Sequence, residues 1–326
     1  MNAAVDDVTK ASVLRNEPMR RHTSWRVGGP ADVFFEPATV EELEAFLANL
    51  PRETPVHFLG LGSNLLVRDG GIRGVVVATG RLVRRLERFD DTGVHASAGL
   101  PCALLARQCV RWQLGPAAFF AGIPGSVGGA LAMNAGAFGG ETWSHVERVE
   151  TIDRHGVRRL RPRTDFEVGY RTVRLRPERS DVGAAFQPRS SEASGEPEQP
   201  PDEWFLGADF RFEHDTVTDE ATLKRLLAQR AASQPLRVPS CGSVFRNPPG
   251  DYAGRLIEQA GLKGFRLGGA MVSEKHGNFI LNTGTATADD IERLIEHVRA
   301  EVARQFGVEL ELEVRILGEP AGGTKR

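Results

Sequence analysis

The pattern of apolar and polar positions predicts short strands broken by a few amphipathic helices. ADVFFEP (31–37) is a compact apolar run and reads as a strand. Thr39 and Glu42 have the T-x-x-E spacing of a capping box, and Leu43, Phe46, Leu47 and Leu50 then recur at helical spacing. VHFLG (56–60), the β-branched IRGVVVA (72–78) and VHASAG (94–99) predict further strands. PCALLARQCVRWQ (101–113) predicts a helix with Pro101 in its first turn. VERVETID (146–153) and GVRRLR (156–161) predict a hairpin, and alternation returns in WFLGADFRFEH (204–214).

A composition shift near 215 marks a boundary. Beyond it, 219–234 and 253–261 predict helices, the second closed by Gly261, and NFILN (278–282) predicts a strand. In 288–306, Ile291, Leu294, Ile295, Val298 and Val302 share one helical face, and Gly307 ends the run. VELELEVRIL (308–317) alternates: Val308, Leu310, Leu312, Val314 and Ile316 on one face, Glu309, Glu311, Glu313 and Arg315 on the other. Residues 1–18 read as a mobile tail. Residues 177–203 hold five prolines and little apolar content, so a disordered insertion or linker is expected. Without regular β-α-β alternation or a solenoid period, the class expected is α+β.

Bulk composition narrows the function. A chain of 326 residues is long enough for two or three domains. With 41 basic and 43 acidic residues, broad electrostatic binding of nucleic acid is disfavoured. Three cysteines (Cys102, Cys109, Cys241) make no disulfide framework, which points to a reducing compartment. The first residues have no signal-peptide pattern, and no stretch approaches the roughly 20 apolar residues of a membrane span. The location expected is therefore the cytoplasm, with no membrane partner and a monomeric chain.

Glycine concentrates in two places: Gly60-Leu61-Gly62-Ser63-Asn64, and 122–140, where seven of nineteen residues are glycine and none is charged. Such runs let main-chain N–H groups converge on phosphate, and two of them suit a dinucleotide. No Walker A motif is present, and GLGSNL lacks the third glycine of the dinucleotide fingerprint. Tight turns in a sheet protein are the alternative reading. The eight histidines show no metal-ligand spacing, and none is expected to bind metal. Cys241 in PSCGSVF invites a reading as a thiol nucleophile, although no histidine partner can be assigned to it.

The order of HTSWRVGGPAD, LGLGSNLLVRDGGIRGVVV, GIPGSVGGALAMNAGAFGG, GYR, PSCGSVFRNPPG, AGRLIEQAGLKG, GGAMVSEKHGNFILN and FGVELELEVRILG closely resembles the UDP-N-acetylenolpyruvoylglucosamine reductase family of peptidoglycan precursor synthesis. The resemblance runs from His22 to Gly318 and is to the shorter class, which lacks an extra substrate-covering loop. It implies an FAD-binding fold of the vanillyl-alcohol-oxidase (PCMH) type over 19–215, in subdomains of about 19–85 and 86–215, and an α+β substrate-binding domain over 216–326. It also implies non-covalent FAD, NADPH as co-substrate and a UDP-sugar substrate.

Residue by residue, the resemblance implies FAD contacts at Gly60, Gly62, Ser63, Asn64, Leu65, Gly122, Ile123, Pro124, Gly125, Ser126, Gly128, Gly129, Asn134 and Gly136. Arg171 of GYR matches the arginine that stabilises developing charge on the substrate carboxylate. Ser243 matches the proton donor, and Glu313 matches the glutamate opposite that arginine. Tyr170 and Asn247 match substrate contacts, with Lys263 and Lys275 as diphosphate candidates. Two positions depart from the family pattern: Val173 stands where serine is common, and Phe138 where tyrosine is usual. From the residues alone, Glu313 cannot be told from Glu309 or Glu311.

Overall fold

The computed structural model describes residues 13–82, 85–176, 203–236 and 238–322. Residues 1–12 of the expected tail and 177–202 of the expected insertion lie outside the described residues. Residues 13–18, also assigned to the tail by composition, instead form a strand.

The first lobe contains β1 (Val13–Pro18), β2 (Pro30–Phe35), helix α1 (Val40–Ala48), β3 (Val56–Leu59), β4 (Leu65–Val67) and β5 (Ile72–Ala78). Its sheet runs β1-β2-β5-β3, with β1 antiparallel to β2 and the other two pairings parallel. Central β5 is apolar and buried from Val75 to Ala78 because both its faces are covered there, and only Arg73 near its start is exposed. Val75 and Val77 pack with Phe46 and Leu47 of α1, while Ile72 and Val76 pack with Met19 and Phe34. Thr39 caps α1 by accepting from Glu42 N–H, but the expected capping box is not closed, because the Glu42 carboxylate accepts from Ala38 N–H and not from Thr39.

The second lobe contains β6 (Leu86–Arg88), β7 (Gly93–Ser97), helix α2 (Cys102–Arg111), helix α3 (Val127–Met133), β8 (Val146–Asp153), β9 (Arg158–Pro162), the hairpin β10 (Phe166–Gly169) and β11 (Thr172–Leu175), and β12 (Glu203–Arg211). Its antiparallel sheet runs β9-β8-β12-β7-β6. Trp143, Phe120 and Phe210 anchor the core between this sheet and the helices.

The C-terminal part contains α4 (Glu220–Ser233), α5 (Ala253–Gln259), β13 (Arg266–Leu267), β14 (Ala270–Val272), β15 (Ile280–Asn282), α6 (Ala288–Phe306) and β16 (Arg315–Leu317). The periodic face of α6 is buried as its spacing predicts, and Gly307 closes the helix at φ +68°. First-lobe residues enter this core. Trp25, Val27 and Leu66 are buried within it, and Trp25 Nε1 donates to Ile280 O at 2.7 Å. Asp69 accepts from the N–H groups of Ala288 and Asp289, seating a carboxylate at the positive end of α6. Among the described residues no helix is long and apolar enough to cross a membrane.

The expected strand 308–317 is only partly a strand. β16 pairs in parallel with β4, but 308–314 lies in an irregular ladder against the Ser243 loop. Glu313 N–H and Val314 N–H both turn to Val244 O, at 2.8 and 3.3 Å. The apolar face keeps its period of two all the same: Leu310 and Val314 are buried in the C-terminal core, and Val308, Leu312 and Ile316 pack against it. Glu313 stays on the charged face, where Arg171 covers it: its side chain is 14 % exposed, whereas that of Glu311 is 76 % exposed.

Candidate active site

The two glycine loops face one another. A Cβ on Gly60 would lie 2.4 Å from Ser126 Oγ, and one on Gly125 would lie 3.4 Å from Ser63 Oγ. Ser126 caps α3, its hydroxyl accepting from Gly129 N–H. The glycines have two different reasons. At Gly62, with φ +62°, a Cβ would come within 1.9 Å of His22 O. Gly122, Gly128 and Gly136 would meet Ala137, Ala98 and Gly140 at 2.5, 2.8 and 2.4 Å. These four are required by the protein's own packing. Gly125 and Gly129 are not: the nearest atom to a Cβ on Gly129 is 3.8 Å away. Their missing side chains leave a cradle walled by the hydroxyl-bearing Ser63 and Ser126, opposite the N-terminus of α3. Such a surface, bare and rich in donors, fits a phosphate-bearing cofactor. Pro124 is exposed beside it, while Ile123 and Leu65 are buried behind it.

Asn64 and Asn134 serve the frame. Asn64 Nδ2 donates to Glu313 O at 2.9 Å, and Asn64 O accepts from Arg315 N–H at 3.0 Å, so the first loop holds the strand that carries Glu313. Asn134 ends α3 in the left-handed region at φ +44°. Its amide donates to Glu141 and to Gly169 O and accepts from Trp143 N–H.

The far end of the second loop holds Arg171. This residue is in the two-residue turn between β10 and β11, at φ +55°. A non-glycine residue there is strained by about 1–2 kcal/mol. Its guanidinium donates to Asn134 O at 3.3 Å and to Gly136 O at 3.4 Å. Arg171 Nε lies 3.0 Å from Glu313 Oε1, and both side chains are less than one-fifth exposed. The contact is electrostatic: Nε is buried yet not aligned on the carboxylate as a hydrogen bond. Burial pushes the Glu313 carboxyl above the usual carboxylate range, against the opposing pull of the Arg171 and Arg246 cations.

Ser243 is the residue before Val244, the acceptor of Glu313 N–H. Among the described residues its hydroxyl has no hydrogen-bond partner. The fold thus brings Arg171, Glu313 and the Ser243 segment together from three separate parts of the chain. Tyr170 shares the hairpin tip with Arg171 and is 48 % exposed. Asn247 is exposed, and its Oδ1 accepts from Ala253 N–H at the start of α5. Lys263 pairs with Glu258 at 2.9 Å, and Lys275 donates to Ala231 O in α4. Phe138, at φ +51°, lines a cavity of about 600 Å³ that also touches Glu141 and Thr222.

The thiol reading of Cys241 fails on its surroundings. The residue is fully buried, its Sγ lies 3.1 Å from Ser24 Oγ, and burial pushes the thiol up to about 11. It stays protonated and out of reach at neutral pH. His276 Nδ1 accepts from Asn278 N–H and orders its own turn.

Two family models match the chain: "FAD binding domain" over residues 31–160, which contain both glycine loops, and "UDP-N-acetylenolpyruvoylglucosamine reductase, C-terminal domain" over 234–317, which contain Ser243 and Glu313. A UDP-N-acetylenolpyruvoylglucosamine reductase of Alkalilimnicola ehrlichii is 53 % identical over 98 % of this chain and 99 % of its own length. One from Methylococcus capsulatus is 51 % identical over 95 % of each. The crystal structure of the Thermus caldophilus enzyme superposes with a TM-score of 0.72 at 33 % identity, covering 94 % of this chain and 98 % of that one. The α+β architecture built on a PCMH-type FAD-binding fold, the bare cradle between the loops and the full-length likeness agree, and the chain belongs to the UDP-N-acetylenolpyruvoylglucosamine reductase family, FAD-dependent oxidoreductases of peptidoglycan synthesis.

Proposed function

We propose that this chain uses NADPH to reduce UDP-N-acetylglucosamine enolpyruvate to UDP-N-acetylmuramate, with Arg171, Glu313 and Ser243 acting on the enolpyruvyl group. The observation that carries the reading is the buried Arg171–Glu313 pair, whose guanidinium hangs from the carbonyls of the cofactor loop. FAD, when bound, supplies the hydride chemistry, from NADPH through N5 to substrate C3. Gly60, Gly62, Ser63, Asn64, Leu65 and the 122–136 segment are the residues proposed to hold it.

Arg171 binds the substrate carboxylate. Hydride addition at C3 pushes electron density through C2 into that carboxylate, so a fixed guanidinium stabilises the transition state more than the ground state. Glu313, with its raised proton affinity, keeps a proton at higher pH than an ordinary carboxyl and can donate to the same charge. Ser243 delivers its hydroxyl proton to C2. Its lack of a protein partner leaves that proton free to point at the substrate.

Tyr170 and Asn247 flank these groups as substrate contacts. Lys263 and Lys275 are proposed for the diphosphate, in exchange for their present partners Glu258 and Ala231. The test is the purified protein's visible spectrum together with NADPH oxidation in the presence of UDP-N-acetylglucosamine enolpyruvate. A yellow protein that turns over only with this enol ether supports the reading; a flavin-bound protein inert towards it refutes the substrate assignment.

A further inference from the structure

Arg246 has no role in the chemistry above, yet its surroundings are built as carefully as those of Arg171. Its base is rigid. Phe245, the preceding residue, is 1 % exposed and exchanges two hydrogen bonds with the Asn278 side chain, at 2.9 and 2.8 Å. Arg246 N–H then donates to Glu311 O at 2.9 Å, fixing the residue on the segment that carries Glu313. From that base the side chain crosses to the second lobe. Arg246 Nη2 donates to the main-chain carbonyl of Arg171 at 3.4 Å, at the residue held at φ +55°. Its Nη1 lies 3.5 Å from the exposed Glu311 carboxylate. Its Nε is buried without a partner among the described residues.

We propose that Arg246 is a positioning residue for the reduction of the enolpyruvyl substrate, tying the strained Arg171 turn to the Glu313 segment and holding a second cation beside that carboxylate. The inference rests on the reading of Arg171 and Glu313 given above. The two-residue turn requires a positive φ, and a non-glycine residue at such a position is strained, so contacts from outside the hairpin help to keep Arg171 there. A guanidinium anchored on the C-terminal part supplies that restraint across the boundary between the two parts. The charged groups acting on Glu313 are Arg171 from the hairpin and Arg246 from the Ser243 loop; Arg315, on the same segment as Glu313, repels Arg246. Glu311 partly offsets Arg246 from outside. Removing Arg246 therefore removes one of the two cations that favour ionised Glu313, and lets the Arg171 turn relax.

The experiment is anaerobic stopped flow on FAD-loaded protein, timing flavin reduction by NADPH and flavin reoxidation by UDP-N-acetylglucosamine enolpyruvate separately, across pH. In Arg246→Gln, reoxidation falls by about 10- to 100-fold, the scale of a misplaced positioning group. The limb assigned to Glu313 moves to higher pH by about one unit, the scale of one lost nearby cation. Flavin reduction is little changed. Arg246→Lys keeps the charge without the fork, so its limb stays at the wild-type pH while its rate remains low. An unmoved limb in Arg246→Gln, or a moved limb in Arg246→Lys, overturns the assignment. So does equal loss in both half-reactions, which marks general damage. If Arg246→Gln folds poorly, the lysine variant carries the test by the same criterion. Glu313→Gln separates the two levels. A limb that survives in it sinks the Glu313 reading and this proposal together. A limb absent from it but unmoved in Arg246→Gln sinks this proposal alone.

Discussion

Arg171 Nε and Glu313 Oε1 stand 3.0 Å apart, one on a hairpin turn of the second lobe and the other on the C-terminal segment. Their meeting depends on a left-handed residue in the hairpin and on the main-chain bonds from Glu313 and Val314 to Val244 O that fix the Glu313 segment. Glu313→Gln keeps the shape and removes the ionisable proton. Its reoxidation by the enolpyruvyl substrate is expected to fall by about 10²-fold, with reduction by NADPH retained. Because burial raises the proton affinity of Glu313, the wild-type rate should persist above the carboxyl reference value of 4.5 and decline as pH rises through the raised pKa. Rate constants measured against pH check both.

The glycines of the two loops should separate by phenotype. Gly62→Ala puts a Cβ 1.9 Å from His22 O at a positive φ, so the apoprotein should lose stability. Gly129→Ala meets nothing closer than 3.8 Å and lies within α3, where alanine is favoured over glycine by about 1 kcal/mol. It should melt at or above the wild-type temperature while binding FAD more weakly. Thermal melts of apoprotein and flavin titration read the two effects independently.

Trp25 should report on the union of the first lobe with the C-terminal core. It is fully buried there and held by hydrogen bonds to Ile280 O and from Asn282 Nδ2. Trp25→Ala should cost about 3–5 kcal/mol. Denaturant unfolding followed by far-ultraviolet circular dichroism measures the loss.

Acid should weaken the fold through its half-buried imidazoles. Burial lowers the pKa of His57 and of His145 below the reference of 6.5. The unfolded chain therefore binds these protons more readily than the native one. Their contribution is present in full above pH 6.5 and is lost as pH falls through the lowered values. His57→Gln should flatten the decline in melting temperature just below pH 6.5. Melting curves at intervals below neutrality test the sign.

The sequence made much of the frame legible, because strong local signals coincided with burial. The valines of β5, the Thr39 cap and the Ile291–Val302 stripe of α6 appear where their patterns put them. β1 was missed because VLRNEP is mostly exposed and gains its order from pairing with β2. The burial of Glu313 was invisible for a related reason: alternation placed it on the charged face, and its cover is Arg171, from a distant part of the chain. Glycine content signalled a close approach but not what approaches. Gly62, Gly122, Gly128 and Gly136 are among those that make room for neighbouring protein atoms, whereas Gly125 and Gly129 leave the cradle bare. The frame roles of Asn64 and Arg246 had no local signature, since each acts across parts of the chain far apart in sequence.

The central claim is that the C-terminal part supplies a proton, from Ser243, to a substrate carbon that the flavin domain has made basic. The most direct measurement times both half-reactions of Ser243→Ala by anaerobic stopped flow in the flavin's visible band. The account predicts unaltered reduction by NADPH and reoxidation slowed by about 10²-fold or more. Reoxidation at the wild-type rate, or equal slowing of both steps, would contradict it.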